Sequence, residues 1–123
     1  MLTDNGEALL QAYKERTFEK KCVKVAENVY YFQCYGHSNA TLIIGEDGCI
    51  LVDVLDTDLR AERMKAEIAA ITEKPVTTLI YTHGHPDHTG GAAAFADTVT
   101  EIIAHAPMRP VLGRSRVVAG ELM

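Results

Sequence analysis

The chain has 123 residues, of which 47% are hydrophobic and 24% are charged, and its formal net charge is −5. This length allows one domain at most, and the negative charge disfavours a nucleic-acid partner, although a bound metal would still allow a small anionic substrate. Without a long apolar run or a secretory signal, and with three scattered cysteines, the sequence predicts a cytoplasmic protein with no membrane partner.

The first half of the chain predicts a helix followed by two hairpins. Residues 6–18 are compatible with a short helix. Residues 21–35 then alternate with a period near two on either side of a turn at residues 27–28, which is a hairpin pattern. The clearest hairpin follows, because two apolar β-branched runs at 41–44 and 49–54 flank the turn GEDG.

A helix is predicted within residues 56–75, DTDLRAERMKAEIAAITEKP. Thr57 or Asp56 is the candidate N-cap, and Pro75 lies just beyond the end. The apolar stripe of this helix consists of Met64, Ile68 and Ile71.

The rest of the chain predicts a strand, the start of a helix and another strand. The strand PVTTLIYT at 75–82 is of the buried kind, TGGAAAFAD at 89–97 is typical of a helix start, and VTEIIAH at 99–105 is a further strand. The tail, residues 106–123, favours no single structure. This order of elements predicts an α/β fold with a mixed β-sheet and helices packed on one side.

The segment LIYTHGHPDHTGG, at 79–91, holds three of the five histidines. Side chains at i and i+2 of an extended segment point the same way, so His83 and His85 can bind one ion together. A proline then turns the chain, and Asp87 and His88 present a second carboxylate–imidazole pair. These donors suit zinc, and also iron or manganese. Two such pairs at this spacing predict two adjacent metal ions.

A lone histidine is more often structural than a ligand, but four potential ligands at the carboxyl end of a buried strand favour a metal site. The remaining candidates are weaker. His105 ends the last predicted strand, where it either lines the same end of the sheet or makes a local hydrogen bond. In the loop before the second hairpin, His37 is a candidate substrate contact and Asn39 a candidate structural contact.

The motif THGHPDH matches the pattern HxHxDH, and over residues 25–110 the chain resembles the metallo-β-lactamase-fold hydrolase superfamily. SNATLIIGEDGCILVD is similar to the amino-terminal hairpins of that superfamily, and TLIYTHGHPDHTGG followed by IIAH resembles its alkylsulfatase branch. The resemblance implies a four-layer αβ/βα sandwich built from two similar halves. Residues 1–123 are then a single, apparently truncated domain that corresponds to the amino-terminal half.

The resemblance also implies roles for the site residues. His83 and His85 are expected to bind the first zinc, and Asp87 and His88 the second. Asp87 is also the expected catalytic residue, since it would orient or deprotonate the attacking water. Asp53 is expected to hydrogen-bond near the histidine loop and fix its conformation, although on sequence alone it could equally cap a backbone turn. Such a site supports metal-assisted hydrolysis of a small ester of sulfuric, carboxylic or phosphoric acid.

The expected site is incomplete, because catalytic zinc normally has three protein ligands and a water. After His88 the chain offers no counterpart of the bridging aspartate and final histidine that the resemblance implies. A half-sandwich would also expose an apolar sheet face, which predicts a homo-oligomer unless the chain is cut from a longer protein. Two alternative functions stay open: a non-catalytic metal-binding fragment that self-associates, and an iron-dependent oxidoreductase on the same scaffold.

Overall fold

The structure is a computed structural model that describes residues 4–108, and the rest of the predicted tail lies outside the described residues. The elements in chain order are α1 (Asp4–Thr17), β1 (Lys21–Ala26), β2 (Val29–Gln33), β3 (Ala40–Ile44), β4 (Cys49–Val52), α2 (Asp58–Ile71), β5 (Val76–Ile80), α3 (Pro86–Thr89), a first 3-10 helix (Ala92–Phe95), β6 (Glu101–Ile103) and a second 3-10 helix (Ala106–Met108). None of the helices within these residues is long and apolar enough to cross a membrane.

The strands form one mixed sheet of six in the order β1-β2-β3-β4-β5-β6. Neighbours are antiparallel from β1 to β4 and parallel from β4 to β6. The parallel pairing of β4 with β5 requires a crossover, which α2 supplies. The predicted α/β fold with a mixed sheet is therefore confirmed. The carboxyl ends of β4, β5 and β6 lie at one edge of the sheet, and the residues after β4 and β5 meet there.

Leucines in adjacent strands build the buried face of the sheet. Leu42 pairs with Leu51, Leu51 pairs with Leu79, and all three side chains are fully buried. They share one core with Met64 and Ile68 of α2, and with Phe95, Ala92 and Ala94 of the first 3-10 helix. These elements cover this face, in agreement with the predicted packing of helices on one side.

The opposite face of the sheet is apolar but only half-buried. Ile43 pairs with Ile50, and Ile50 pairs with Thr78. These residues alternate with the core leucines along their strands, so their side chains point away from α2. Ile103 at the β6 edge is 46% exposed. No described helix covers this face.

The helix α2 begins at a threonine cap, as one of the two predicted alternatives has it. The Thr57 side chain accepts a hydrogen bond from the backbone N–H of Arg60 at 3.2 Å. Met64 and Ile68 of the predicted stripe are buried, and Ile71 is half-buried at the end of the helix.

The strands predicted at 75–82 and 99–105 are shorter in the structure, Val76–Ile80 and Glu101–Ile103. Two further boundaries also need correction. The second strand of the GEDG hairpin ends at Val52 rather than at residue 54, because Asp53 has a φ of 63° and leaves the extended conformation. The helix predicted at 89–97 is not continuous. The backbone N–H of Gly91 donates to Leu55 O, outside the helix, so α3 stops and a separate 3-10 helix follows.

The two glycines that follow α3 allow close packing against the β4–α2 connection. A Cβ atom at Gly90 would lie 2.2 Å from Asp56 O, and one at Gly91 would lie 2.2 Å from Val54 O. Only glycine permits so short a distance between the two chain segments. The histidine loop is thereby held against the residues that follow β4.

Candidate metal centre

Three of the predicted metal ligands lie together after β5. His83, His85 and Asp87 each offer one ligand atom, and these atoms lie within 4.8 Å of one another. The ring centroids of His83 and His85 are 4.6 Å apart. His85 is extended and Pro86 is the first residue of α3, so the chain turns between the second histidine and the aspartate. Two imidazoles and a carboxylate in this arrangement are donors that zinc commonly takes.

His88 lies beside this group and contacts two carboxylates. Its Nδ1 is 2.7 Å from Asp53 Oδ2, and its Nε2 is 3.4 Å from Asp87 Oδ2. Its ring centroid is 4.0 Å from that of His83. A carboxylate only accepts hydrogen bonds, so Nδ1–H of His88 donates to Asp53 and Nε2 is directed towards Asp87. The four predicted ligands are thus neighbours, and the His88 ring lies closer to the His83 ring than the His85 ring does.

Asp53 holds the end of β4 against the histidine loop. Its carboxylate accepts hydrogen bonds from the backbone N–H of Thr82 (2.9 Å, at Oδ1), the hydroxyl of Thr82 (2.8 Å, at Oδ2) and His88. Asp53 is only 4% exposed, and its own N–H donates to Ile80 O. The same side chain therefore contacts both the backbone and an imidazole of the histidine loop.

Thr82 is a site residue that the sequence argument missed. Its Oγ1 lies 2.8 Å from Asp53 Oδ2 and 2.9 Å from His83 Nδ1. Its position directly before the first histidine is the only signal that the sequence carries for it.

The loop 34–39 also contacts the histidine loop. The hydroxyl of Ser38 donates to Asp87 O at 2.5 Å. Asn39 Oδ1 accepts from the backbone N–H of Cys34 at 2.9 Å, and Cys34 has a φ of 60°. Asn39 therefore makes the predicted structural contact in this loop. Nothing in the sequence indicated that Ser38 would join the loop to Asp87, because 49 residues separate them.

His37 contacts the start of α2. Its Nδ1 lies 2.8 Å from Asp56 Oδ2, and Arg60 Nη1 donates to the same oxygen at 2.6 Å. The His37 side chain is 74% exposed. Burial by itself raises the pKa of Asp56, but the hydrogen bond from His37 and the charge of Arg60 outweigh it and lower that pKa.

Two further groups come after β5 and β6. Tyr81 is buried, and its hydroxyl has no hydrogen-bond partner among the described residues. Burial and the negative charge of Asp53 both raise the pKa of Tyr81, so this phenol stays neutral. His105 lies exposed after β6, and its side chain makes no hydrogen bond within residues 4–108. A role for His105 near the site stays a prediction.

Residues 35–120 match the sequence profile described as the metallo-beta-lactamase superfamily, which is more than half of the chain. Over 69 residues the chain is 41% identical to the alkyl/aryl-sulfatase BDS1 of Saccharomyces cerevisiae, a match that covers 55% of this chain and 11% of the yeast protein. Over 73 residues it is 38% identical to the 2,4-dinitroanisole O-demethylase subunit alpha of Nocardioides sp., which covers 58% of this chain and 22% of that protein.

A solved structure agrees with this assignment. The metallo-β-lactamase from Erythrobacter litoralis superposes with a TM-score of 0.68 at 28% identity, over 81% of this chain and 47% of that chain. The chain thus spans about half the length of that structure and less than a quarter of the two curated relatives. With its fold, its histidine loop and its sequence profile in agreement, the chain belongs to the metallo-β-lactamase superfamily.

Proposed function

We propose that this chain is part of a metal-dependent hydrolase that cleaves a small ester, with sulfate esters as the first class to test. The observation that carries the proposal is the group formed by His83, His85 and Asp87, whose ligand atoms lie within 4.8 Å of one another. This group follows β5 at the edge where α/β proteins place their sites. The similarity to an alkyl/aryl-sulfatase supports the ester class.

We assign His83 and His85 to one zinc ion, and Asp87 and His88 to a second. When bound, zinc lowers the pKa of a water and polarises an ester oxygen. Asp87 would accept a proton from the attacking water, since its carboxylate is partly exposed, lies within 4.8 Å of the ligand atoms of His83 and His85, and is 3.4 Å from Nε2 of His88. Asp53 keeps Nε2 of His88 free by accepting the hydrogen bond from Nδ1. Iron and manganese take the same donors and are the alternative cofactors.

We further propose that the chain is the amino-terminal half of a complete catalytic unit. It spans 47% of the Erythrobacter litoralis lactamase, and it offers two ligands for each proposed ion. Ile43 and Ile50 leave the second sheet face apolar and half-buried. For the 123-residue chain on its own, the proposed cover is a second copy, which would also bring a second set of ligands. Its cysteines are free thiols, which supports a cytoplasmic location.

Native mass spectrometry and metal analysis of the purified chain test these proposals first. The expected result is a dimer with stoichiometric zinc that releases sulfate from an alkyl sulfate. His85→Ala should lose both metal and turnover, whereas Glu46→Ala, in an exposed turn, should keep both. A metal-free monomer would contradict completion by a second copy, and equal turnover by His85→Ala would contradict its role as a ligand.

Two other outcomes would favour other functions. The similarity to an O-demethylase subunit favours a methyl aryl ether as the second candidate substrate. Formation of 2,4-dinitrophenol from 2,4-dinitroanisole, without sulfate release, would support it. Stoichiometric metal without any turnover would support the non-catalytic metal-binding fragment. Bound iron with oxygen consumption would support an oxidoreductase.

A further inference from the structure

We infer that Thr82 is a positioning residue. Its hydroxyl links the Asp53 carboxylate to Nδ1 of His83 through two hydrogen bonds, and this keeps the Nε2 atom of His83 free for a metal ion. The inference rests on the proposed function only in naming metal as the ligand. The hydrogen bonds from Thr82 to Asp53 and from His83 to Thr82 follow from the distances between these residues and do not depend on a metal.

The direction of these hydrogen bonds follows from the donors available. A carboxylate only accepts, so the hydroxyl of Thr82 must donate to Asp53 Oδ2, which lies 2.8 Å away. A hydroxyl has one hydrogen, and the hydrogen bond to Asp53 uses it. Nδ1 of His83 lies 2.9 Å from the same hydroxyl oxygen, so Nδ1 must carry a proton and donate it. In the neutral imidazole this leaves the lone pair on Nε2, which is the atom that can bind a metal.

The same carboxylate oxygen serves both proposed metal ions. Asp53 Oδ2 accepts from Thr82, which orients His83, and directly from Nδ1 of His88 at 2.7 Å. One nearly buried carboxylate therefore sets the tautomer of one imidazole from each proposed pair. The branch to His83 passes through a hydroxyl, whereas the branch to His88 does not. Removal of that hydroxyl should therefore change the tautomer of His83 and leave the tautomer of His88 unchanged.

The structure offers a clean substitution for this test. Thr82 is exposed, and its backbone N–H donates separately to Asp53 Oδ1 at 2.9 Å. Thr82→Val keeps the branched shape and the backbone hydrogen bond and removes only the hydroxyl. Thr82→Ser keeps the hydroxyl and is the matched control.

The first measurement is ¹⁵N NMR of the histidine rings in the metal-free protein, at a pH where the imidazoles are neutral. We expect His83 to be the Nδ1–H tautomer in the wild type and in Thr82→Ser, and to shift towards Nε2–H in Thr82→Val. His88 should stay Nδ1–H in all three proteins. An Nε2–H tautomer of His83 in the wild type, or an unchanged His83 in Thr82→Val, would overturn the relay.

The second measurement is calorimetric titration with zinc chloride. We expect Thr82→Val to bind the first zinc about 10- to 100-fold more weakly than the wild type, and Thr82→Ser to bind it equally well. Equal zinc affinity in the valine variant would overturn the positioning role. The two proposals fail differently: a wild type with the expected tautomers but no zinc binding would contradict the proposed function and leave the hydrogen-bonded relay standing.

Discussion

Oδ2 of Asp53 lies 2.7 Å from Nδ1 of His88, although 35 residues separate them in the sequence. This contact joins the end of β4 to the loop that follows β5. Two bonds from Thr82 to the same carboxylate strengthen the connection. The end of one strand thus determines how the next strand's loop presents its imidazoles.

Replacement of Asp53 tests this connection. We expect Asp53→Ala to lower the free energy of unfolding by about 2–3 kcal/mol, because it leaves buried donors without an acceptor. Asp53→Asn, which tolerates the positive φ at this position, should cost less. Urea unfolding measures the change, and Asp47→Ala in an exposed turn is the control. Equal stability of Asp53→Ala and the wild type would show that the contact contributes nothing.

The two faces of the sheet should respond differently to truncation. Leu51 is fully buried, so Leu51→Ala should cost about 2–5 kcal/mol of unfolding free energy. Ile50 is its half-buried neighbour on the opposite face, and Ile50→Ala should cost clearly less at protein concentrations where the chain is monomeric. Chemical denaturation compares the two variants. A larger cost for Ile50→Ala would mean that the second face is the better-packed one.

The N-cap of α2 is a local hydrogen bond whose removal should lower the stability of the protein. Thr57→Ala should lower the stability by about 1 kcal/mol, because the backbone N–H of Arg60 loses its acceptor. Thr57→Ser keeps the oxygen and should be close to the wild type. Thermal unfolding followed by circular dichroism would detect the difference. An alanine variant as stable as the serine variant would rule out a contribution from this cap.

The close packing after α3 predicts a strong effect from one added methyl group. A Cβ at residue 90 would lie 2.2 Å from Asp56 O, so Gly90→Ala should cost about 1–3 kcal/mol and weaken zinc binding by displacing the histidine loop. Gly6→Ala, inside α1, is the matched control and should be neutral or stabilising. Calorimetry would report both quantities. Wild-type zinc affinity in Gly90→Ala would show that the position of the histidine loop does not depend on this close packing.

Acid should weaken the contact between the loop 34–39 and α2. Despite the opposing effect of burial, His37 and Arg60 hold the pKa of Asp56 below its usual value. A group whose pKa is lower in the folded state stabilises the protein above its unfolded pKa, and this contribution is lost as the pH falls through the folded pKa.

The unfolding free energies of the wild type and Asp56→Asn should therefore differ more at about pH 6 than at about pH 3. Asp47→Asn, in an exposed turn, controls for the loss of one negative charge. A difference between the wild type and Asp56→Asn that does not change with pH would contradict the lowered pKa.

Local patterns in the sequence were sufficient for most of the elements. The turn at residues 27–28 is confirmed, and Asn28 has the positive φ, 61°, that such a turn uses. The cap at Thr57 and the buried Met64 and Ile68 of α2 are also as predicted. Each of these features depends on residues a few positions apart, which a sequence displays directly. The spacing of the histidine motif is local in the same sense, so its candidate ligands could be named before the structure was known.

The tertiary structure decided what depends on distant segments. It brought Thr82 and His88 to Asp53, Ser38 to Asp87 and His37 to Asp56, across separations of 19 to 49 residues. It also broke the helix predicted at 89–97, because the N–H of Gly91 bonds to Leu55 O and the glycines pack on the β4–α2 connection. Periodicity and turn chemistry carry no information about which distant backbone segments form hydrogen bonds with each other. The sequence by itself therefore determined the elements and the candidate ligands, and only the packing of β4 beside β5 decided how those ligands are held.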